Sequence, residues 1–110
     1  MLLRIWRTGV DPNRWHDYAR FEREHSVPMF RQQPGCRGVL LLRLSEGAGA
    51  AACSFWDNHE TIDRLATSPT YQATVSRLVA TGLLTGTQSV EVFTIAGGAL
   101  DMLPGVEPFS

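Results

Sequence analysis

The stretch that decides the fold is residues 37–56, RGVLLLRLSEGAGAAACSFW. Two strand-like runs, 37–45 and 50–56, flank the turn Glu46-Gly47-Ala48-Gly49. The second run is built from small residues, which lets another backbone or a ligand approach closely. Upstream, residues 2–9 (LLRIWRTG) alternate Leu3 and Ile5 against Arg4, Trp6 and Thr8, the pattern of a further strand. Between them a helix is predicted to begin at Asp11-Pro12, with Asp11 as cap and Pro12 in the first turn. It runs through Trp15, Tyr18 and Glu22 to His25. At 100° per residue Tyr18 and His25 share one face. Val27-Pro28 must disturb it, because Pro28 lacks a backbone donor and disfavours helix at Val27.

Downstream, Asp57-Asn58-His59-Glu60 has the spacing of a capping box, with Asp57 as cap. Ile62, Leu65 and Ala66 face inward from the helix it opens. Ser68-Pro69 restarts that helix, and Tyr71, Val75, Leu78 and Val79 continue the apolar stripe until Gly82 and Gly86 end it. Residues 88–96 (QSVEVFTIA) form the last strand. The order is βαββαβ, an α+β, ferredoxin-like domain with an antiparallel sheet over residues 1–96. Residues 97–110 form a tail without a period, either irregular or laid over a partner subunit. Two helical regions cover one sheet face, whereas the strands are apolar on both. The bare face therefore calls for a homodimer.

The chain has 110 residues, a net charge of −1, 44% hydrophobic and 19% charged residues. These are the values of one globular domain. The absence of a basic run argues against nucleic acid and against an anionic membrane surface. No apolar stretch is long enough to cross a membrane, and Met1-Leu2-Leu3-Arg4 does not read as a signal peptide. The expected location is the cytoplasm. Cys36 and Cys53 fall on neighbouring strands. Cys53 is placed opposite about Leu41, roughly five residues or ~17 Å along the strand from Cys36. A disulfide needs Cα atoms within about 7 Å, so both are read as free thiols. Neither has the spacing of a metal ligand.

Arg4-Ile5-Trp6, Val27-Pro28 with Phe30-Arg31, Pro34-Gly35-Cys36-Arg37-Gly38, and Trp56-Asp57-Asn58-x-Glu60 together resemble the antibiotic biosynthesis monooxygenase family of the dimeric α+β barrel superfamily. These features span residues 2 to 96. The resemblance implies a dimer of ferredoxin-like chains, with a cavity between each sheet and its own helices. It also implies one of the family's activities: oxygenation of aromatic polyketides to quinones without metal or flavin, oxidative haem breakdown, isomerisation or ring closure. Trp56 matches the tryptophan of the quinone-forming members. The places of their asparagine, tyrosine and arginine are Ala52, Ile62 and about Ser76 here. The histidine that ligates haem iron in other members falls at about Val75, the tryptophan that packs on the haem at Leu65, and the strand-one asparagine has no counterpart.

Cofactor-free oxygenation needs a base, a donor for the resulting anion, and an apolar space for O₂. His25 is the candidate base; otherwise it is a polar residue at a disturbed helix end. Tyr71 is the candidate donor. Trp56, Trp6 and Tyr18 are candidates to contact an aromatic substrate, or else they are core. Arg43, like Arg4, sits mid-strand; pointing inward it holds an enolate or carboxylate, pointing outward it snorkels. His59 is a candidate for the pocket rim, and His16 reads as exposed. The clusters Glu22-Arg23-Glu24 and 57–60 read as a solvated face and a cap. No metal is expected. The leading function is a cofactor-independent monooxygenase of natural-product biosynthesis acting on an aromatic or polyketide-like substrate. The alternatives are a non-oxidative cyclase or isomerase, a haem-binding or haem-degrading protein, and a ligand-binding dimer without catalysis.

Overall fold

The computed structural model describes residues 1–108. The chain runs through β1 (Leu2–Val10), a 3-10 turn (Pro12–Arg14), α1 (Trp15–Phe21), a π-helical turn (Glu22–Ser26) and α2 (Val27–Arg31). Then come β2 (Cys36–Arg43), β3 (Gly49–Trp56), α3 (His59–Ala66), α4 (Pro69–Ala80) and β4 (Leu84–Thr94). The strands form one antiparallel sheet of order β2-β3-β1-β4, the α+β, ferredoxin-like arrangement expected from the sequence.

The pleat of β1 sorts its residues. Leu2, Arg4, Trp6, Thr8 and Val10 face the helices, beside Trp56, Ser54, Ala52 and Ala50 of β3. Leu3, Ile5 and Arg7 face the other way. Polar Arg4 and Thr8 are therefore on the covered side, and the apolar pair Leu3 and Ile5 is not. Leu40, Leu42, Cys53, Phe55 and Phe93 join that pair by register. Leu42 is 45% and Phe93 47% exposed, so an apolar face lies open. After β4, residues 97–108 have no regular structure beyond a turn at Pro104-Gly105. Leu100, Met102, Leu103 and Val106 lie near Leu40 and Phe55 of the same chain, so the tail crosses that face.

The helices are fixed at their ends. Asp11 Oδ1 accepts from the Asn13 N–H at 3.0 Å, and Ser68 caps α4 with Pro69 next to it. The cap of α3 is Asn58, not Asp57: Asn58 Oδ1 accepts from the Thr61 N–H, and the Thr61 hydroxyl completes the box. Asp57 is instead engaged by Arg37, at 2.8 and 2.9 Å, tying the start of β2 to the end of β3. β4 also begins four residues earlier than the sequence indicated. Gly82 closes α4 with φ +74°, but Gly86, at φ +66°, lies within the strand. Cys53 stands opposite Leu40, one residue from the expected register, because the hairpin closes with the Leu44 N–H donating to the Gly49 carbonyl, which pairs Arg43 with Ala50. Both cysteines are free.

Under the sheet, Leu2, Met29, Phe30, Cys36, Trp56 and Leu65 form one apolar cluster; Val10, Tyr18, Ala50, Leu78 and Leu83 form the other. Gly35 joins the first helical segment to β2 at φ +80°, and a Cβ there would stand 2.7 Å from Thr61 Cβ. Only glycine suits both the conformation and the contact. Gly35→Ala should destabilise the protein by roughly 1–3 kcal/mol from backbone conformation alone, read as a lower denaturant midpoint with an unchanged slope.

Candidate functional site

The candidate site lies between the two clusters, where α1, the π-turn, α2 and α4 cross the small residues of β3. A cavity of about 30 Å³ is lined there by Arg4, Trp6, Ala52, Glu22, Ser26 and Tyr71, closed by Met29, Phe30, Thr74, Val75 and Leu78. It has room for a water or a small polar group. Ala52 leaves the space that a larger strand residue would fill.

The π-turn decides which residues face it. From Tyr18, a regular helix brings residues 22 and 25 back to the same face. The Val27 N–H instead reaches the Glu22 carbonyl five residues back, and this wider turn accommodates one extra residue. The buried series becomes Tyr18, Glu22, Ser26, Met29 and Phe30. Pro28 gives the physical cause: it has no N–H for the Glu24 carbonyl, and its ring crowds that carbonyl in a regular helix. The disturbance expected at Val27-Pro28 takes this form, with helix resuming to Arg31.

His25 is thereby turned away. It is half-buried against Phe21, ring centroids 4.8 Å apart, and Phe21 in turn meets Arg77 of α4. It does not line the cavity. Glu22, read from the sequence as part of a solvated face, is only 2% exposed. Its carboxyl accepts from Ser26 Oγ at 2.5 Å and from Tyr18 Oη at 3.2 Å. Burial pushes its pKa above the ordinary glutamate value, and the two hydroxyls partly oppose that shift. Tyr18 is held protonated by burial and by the adjacent carboxyl. Across the cavity, Arg4 is 7% exposed and donates from Nη2 to Tyr71 Oη at 2.8 Å, its guanidinium 5.5 Å from the ring centre.

The other predicted residues fall in different places. Trp6 and Tyr71 line the cavity. Tyr18 stands behind Glu22. Trp56 is fully buried in the core, its indole N–H donating to Ser54 Oγ at 2.8 Å and its ring edge-on to Phe30. Arg43 points away from the cavity and lies over the Trp15 ring, 4.5 Å from its centre. His59 is exposed at the first position of α3, and His16 is exposed as well. The cysteine thiols are pushed up by burial, away from the thiolate form that nucleophilic chemistry needs.

No family model and no curated protein matches the sequence. Solved structures do match over nearly its whole length. The monooxygenase from the gene ActVA-Orf6 of Streptomyces coelicolor, in complex with nanaomycin D, superposes with a TM-score of 0.78 at 16% identity, covering 92% of each chain. SnoaB, a cofactor-independent oxygenase from Streptomyces nogalater, gives 0.68 at 23% identity, over 94% of this chain and 96% of that one. Rv0793 from Mycobacterium tuberculosis gives 0.73 at 19%, over 90% and 98%. The chain has the fold of the antibiotic biosynthesis monooxygenases. The resemblance drawn from its motifs thus holds at the level of architecture.

Haem does not fit this cavity. Val75 stands in its wall, where the haem-binding members would have their histidine, and none of the three histidines lines it. Among the described residues no three His, Cys, Asp or Glu side chains are grouped to hold a metal ion, and no helix is long and apolar enough to cross a membrane.

Glu22 makes a measurable prediction. Its folded pKa is raised, so the native state binds its proton more tightly than the unfolded chain does. Stability from this group is therefore complete below the unfolded pKa and is lost as pH rises through the raised folded value. Glu22→Gln should remove that slope and be at least as stable as wild type at neutral pH, as followed by urea denaturation across pH 4 to 8.

Proposed function

We propose that the chain is a cofactor-independent oxygenase of the antibiotic biosynthesis monooxygenase type, acting on an aromatic or polyketide-like substrate as a cytoplasmic homodimer. The observation that carries this reading is a single cavity with a buried carboxyl on one side, Glu22, and a buried guanidinium–phenol pair on the other, Arg4 and Tyr71. The fold it shares with a cofactor-independent oxygenase supports the reading. The second copy of the chain is assigned to the part of that face which the tail leaves open, where Leu42 and Phe93 stand exposed.

Glu22, which lines the cavity as His25 does not, is the base. Its raised pKa brings it nearer neutrality, the condition for a base that must both accept and release a proton. It removes a proton from an activated carbon or phenol. Arg4 and Tyr71 hold an anionic oxygen group of the substrate, and the apolar wall of Met29, Phe30, Val75 and Leu78 excludes water from the carbanion. With O₂, a CH₂ of an anthrone becomes C=O: one oxygen atom enters the carbon, and the other leaves as water with the two hydrogens.

A non-oxidative cyclase or isomerase is the second reading. The same acid–base and oxyanion groups line the cavity, and they serve enolate chemistry without O₂ as well.

Oxygen uptake with an anthrone and hydroquinone panel, in chelator and against the autoxidation blank, separates the two. Glu22→Gln should lower protein-dependent uptake about 10²-fold or more, and Tyr71→Phe by ~10-fold or more. His25→Ala should stay close to wild type. Turnover that persists under argon would establish the second reading, and uptake lost in His25→Ala but kept in Glu22→Gln would overturn the assignment of the base. Light scattering should give twice the monomer mass, and Leu42→Asp on the open face should reduce it.

A further inference from the structure

Arg4 is a buried cation with no carboxylate in direct contact among the described residues. Among the described residues, the one side chain its guanidinium hydrogen-bonds is the phenol of Tyr71. Glu22, in the same cavity, is satisfied on its own helix by Ser26 and Tyr18. Nor does any fully buried side-chain nitrogen or oxygen among the described residues lack a partner. The remaining guanidinium nitrogens therefore keep some exposure, and Arg4 lines the cavity. A guanidinium offers a planar fork that matches a carboxylate, and burying it unpaired is costly unless something completes it.

We propose that Arg4 and Tyr71 form the recognition site for the carboxylate of an aromatic acid, so that the substrate enters as a carboxylic acid anion and not as a neutral polyketide. This rests on the reading of the cavity as the reaction site, and it narrows the substrate class. The volume of about 30 Å³ suits such a head group. Half-buried Trp6, next but one to Arg4 on the same face of β1, supplies the flat surface for the ring that carries it. Arg4 is then the specificity-determining residue, and Glu22 stands opposite as the base.

The test is binding, measured anaerobically by titration calorimetry so that turnover plays no part. The probes are salicylic acid and 2-naphthoic acid, each against its methyl ester. Wild-type protein should bind the acids roughly 10- to 100-fold more tightly than the esters, the range of a charge-assisted hydrogen bond. Arg4→Gln should abolish the preference, Arg4→Lys should keep part of it, and Tyr71→Phe should weaken the acids more than the esters. Equal affinity for acid and ester, no binding of either acid at millimolar concentration, or a preference that survives Arg4→Gln would overturn the proposal. The wild-type comparison needs no variant to fold. Acid selectivity without oxygen uptake would leave this inference standing and remove the oxygenase reading alone.

Discussion

Pro28 cannot donate a backbone hydrogen bond, and the interior of this protein is arranged around that fact. One turn before it, the helix takes up an extra residue. The widened turn rotates Glu22 and Ser26 inward together, where the serine hydroxyl meets the carboxyl at 2.5 Å. It also sets the phase of α2, so that Met29 and Phe30 reach Trp56 and seal the cavity from the apolar cluster. A buried carboxyl tends to be a liability. Here two hydroxyls from its own helix satisfy it, one from each side, and the remaining cost of burial is expressed as a proton held more tightly than usual.

The sheet contributes the opposite charge by an equally local rule. Alternation along β1 places every second residue under the helices, and those residues include Arg4 and Thr8 rather than Leu3 and Ile5. Thr8 is satisfied within the sheet, donating to the Gly9 carbonyl and accepting from Gln88. Arg4 reaches across to α4 for Tyr71. Small residues on β3, Ala50 and Ala52, leave the space into which these long side chains extend. A polar site between sheet and helices thus follows from which face of one strand happens to be covered.

Much of this is legible in the sequence. Turn glycines, the Pro12 and Pro69 helix starts and the apolar periods mark the element order, and Arg4, Trp6 and Tyr71 stand out as pocket candidates by type and position. The features that escape such a reading trace to specific competitions. Asp57 matches the cap pattern but is claimed by Arg37, leaving Asn58 to cap. Gly86 reads as a helix terminator, although a glycine with positive φ also suits an irregular edge strand. Tyr18 and His25 pair on a period of 3.6 residues, which the turn before Pro28 does not keep. Glu22 looks like surface because Arg23 and Glu24 flank it, and only the orientation of the turn separates it from them.

The widened turn also bears on how such chains are compared. A helix that holds one extra residue within a single turn runs one position out of step with a regular helix beyond it. Chains of this architecture can therefore agree in fold while disagreeing by one register step along this helix. A column-by-column alignment that runs straight through it would pair residues facing the cavity with residues facing solvent. Equivalence between such chains is better drawn from position in space than from order in the chain, which fits a fold shared at 16% to 23% identity.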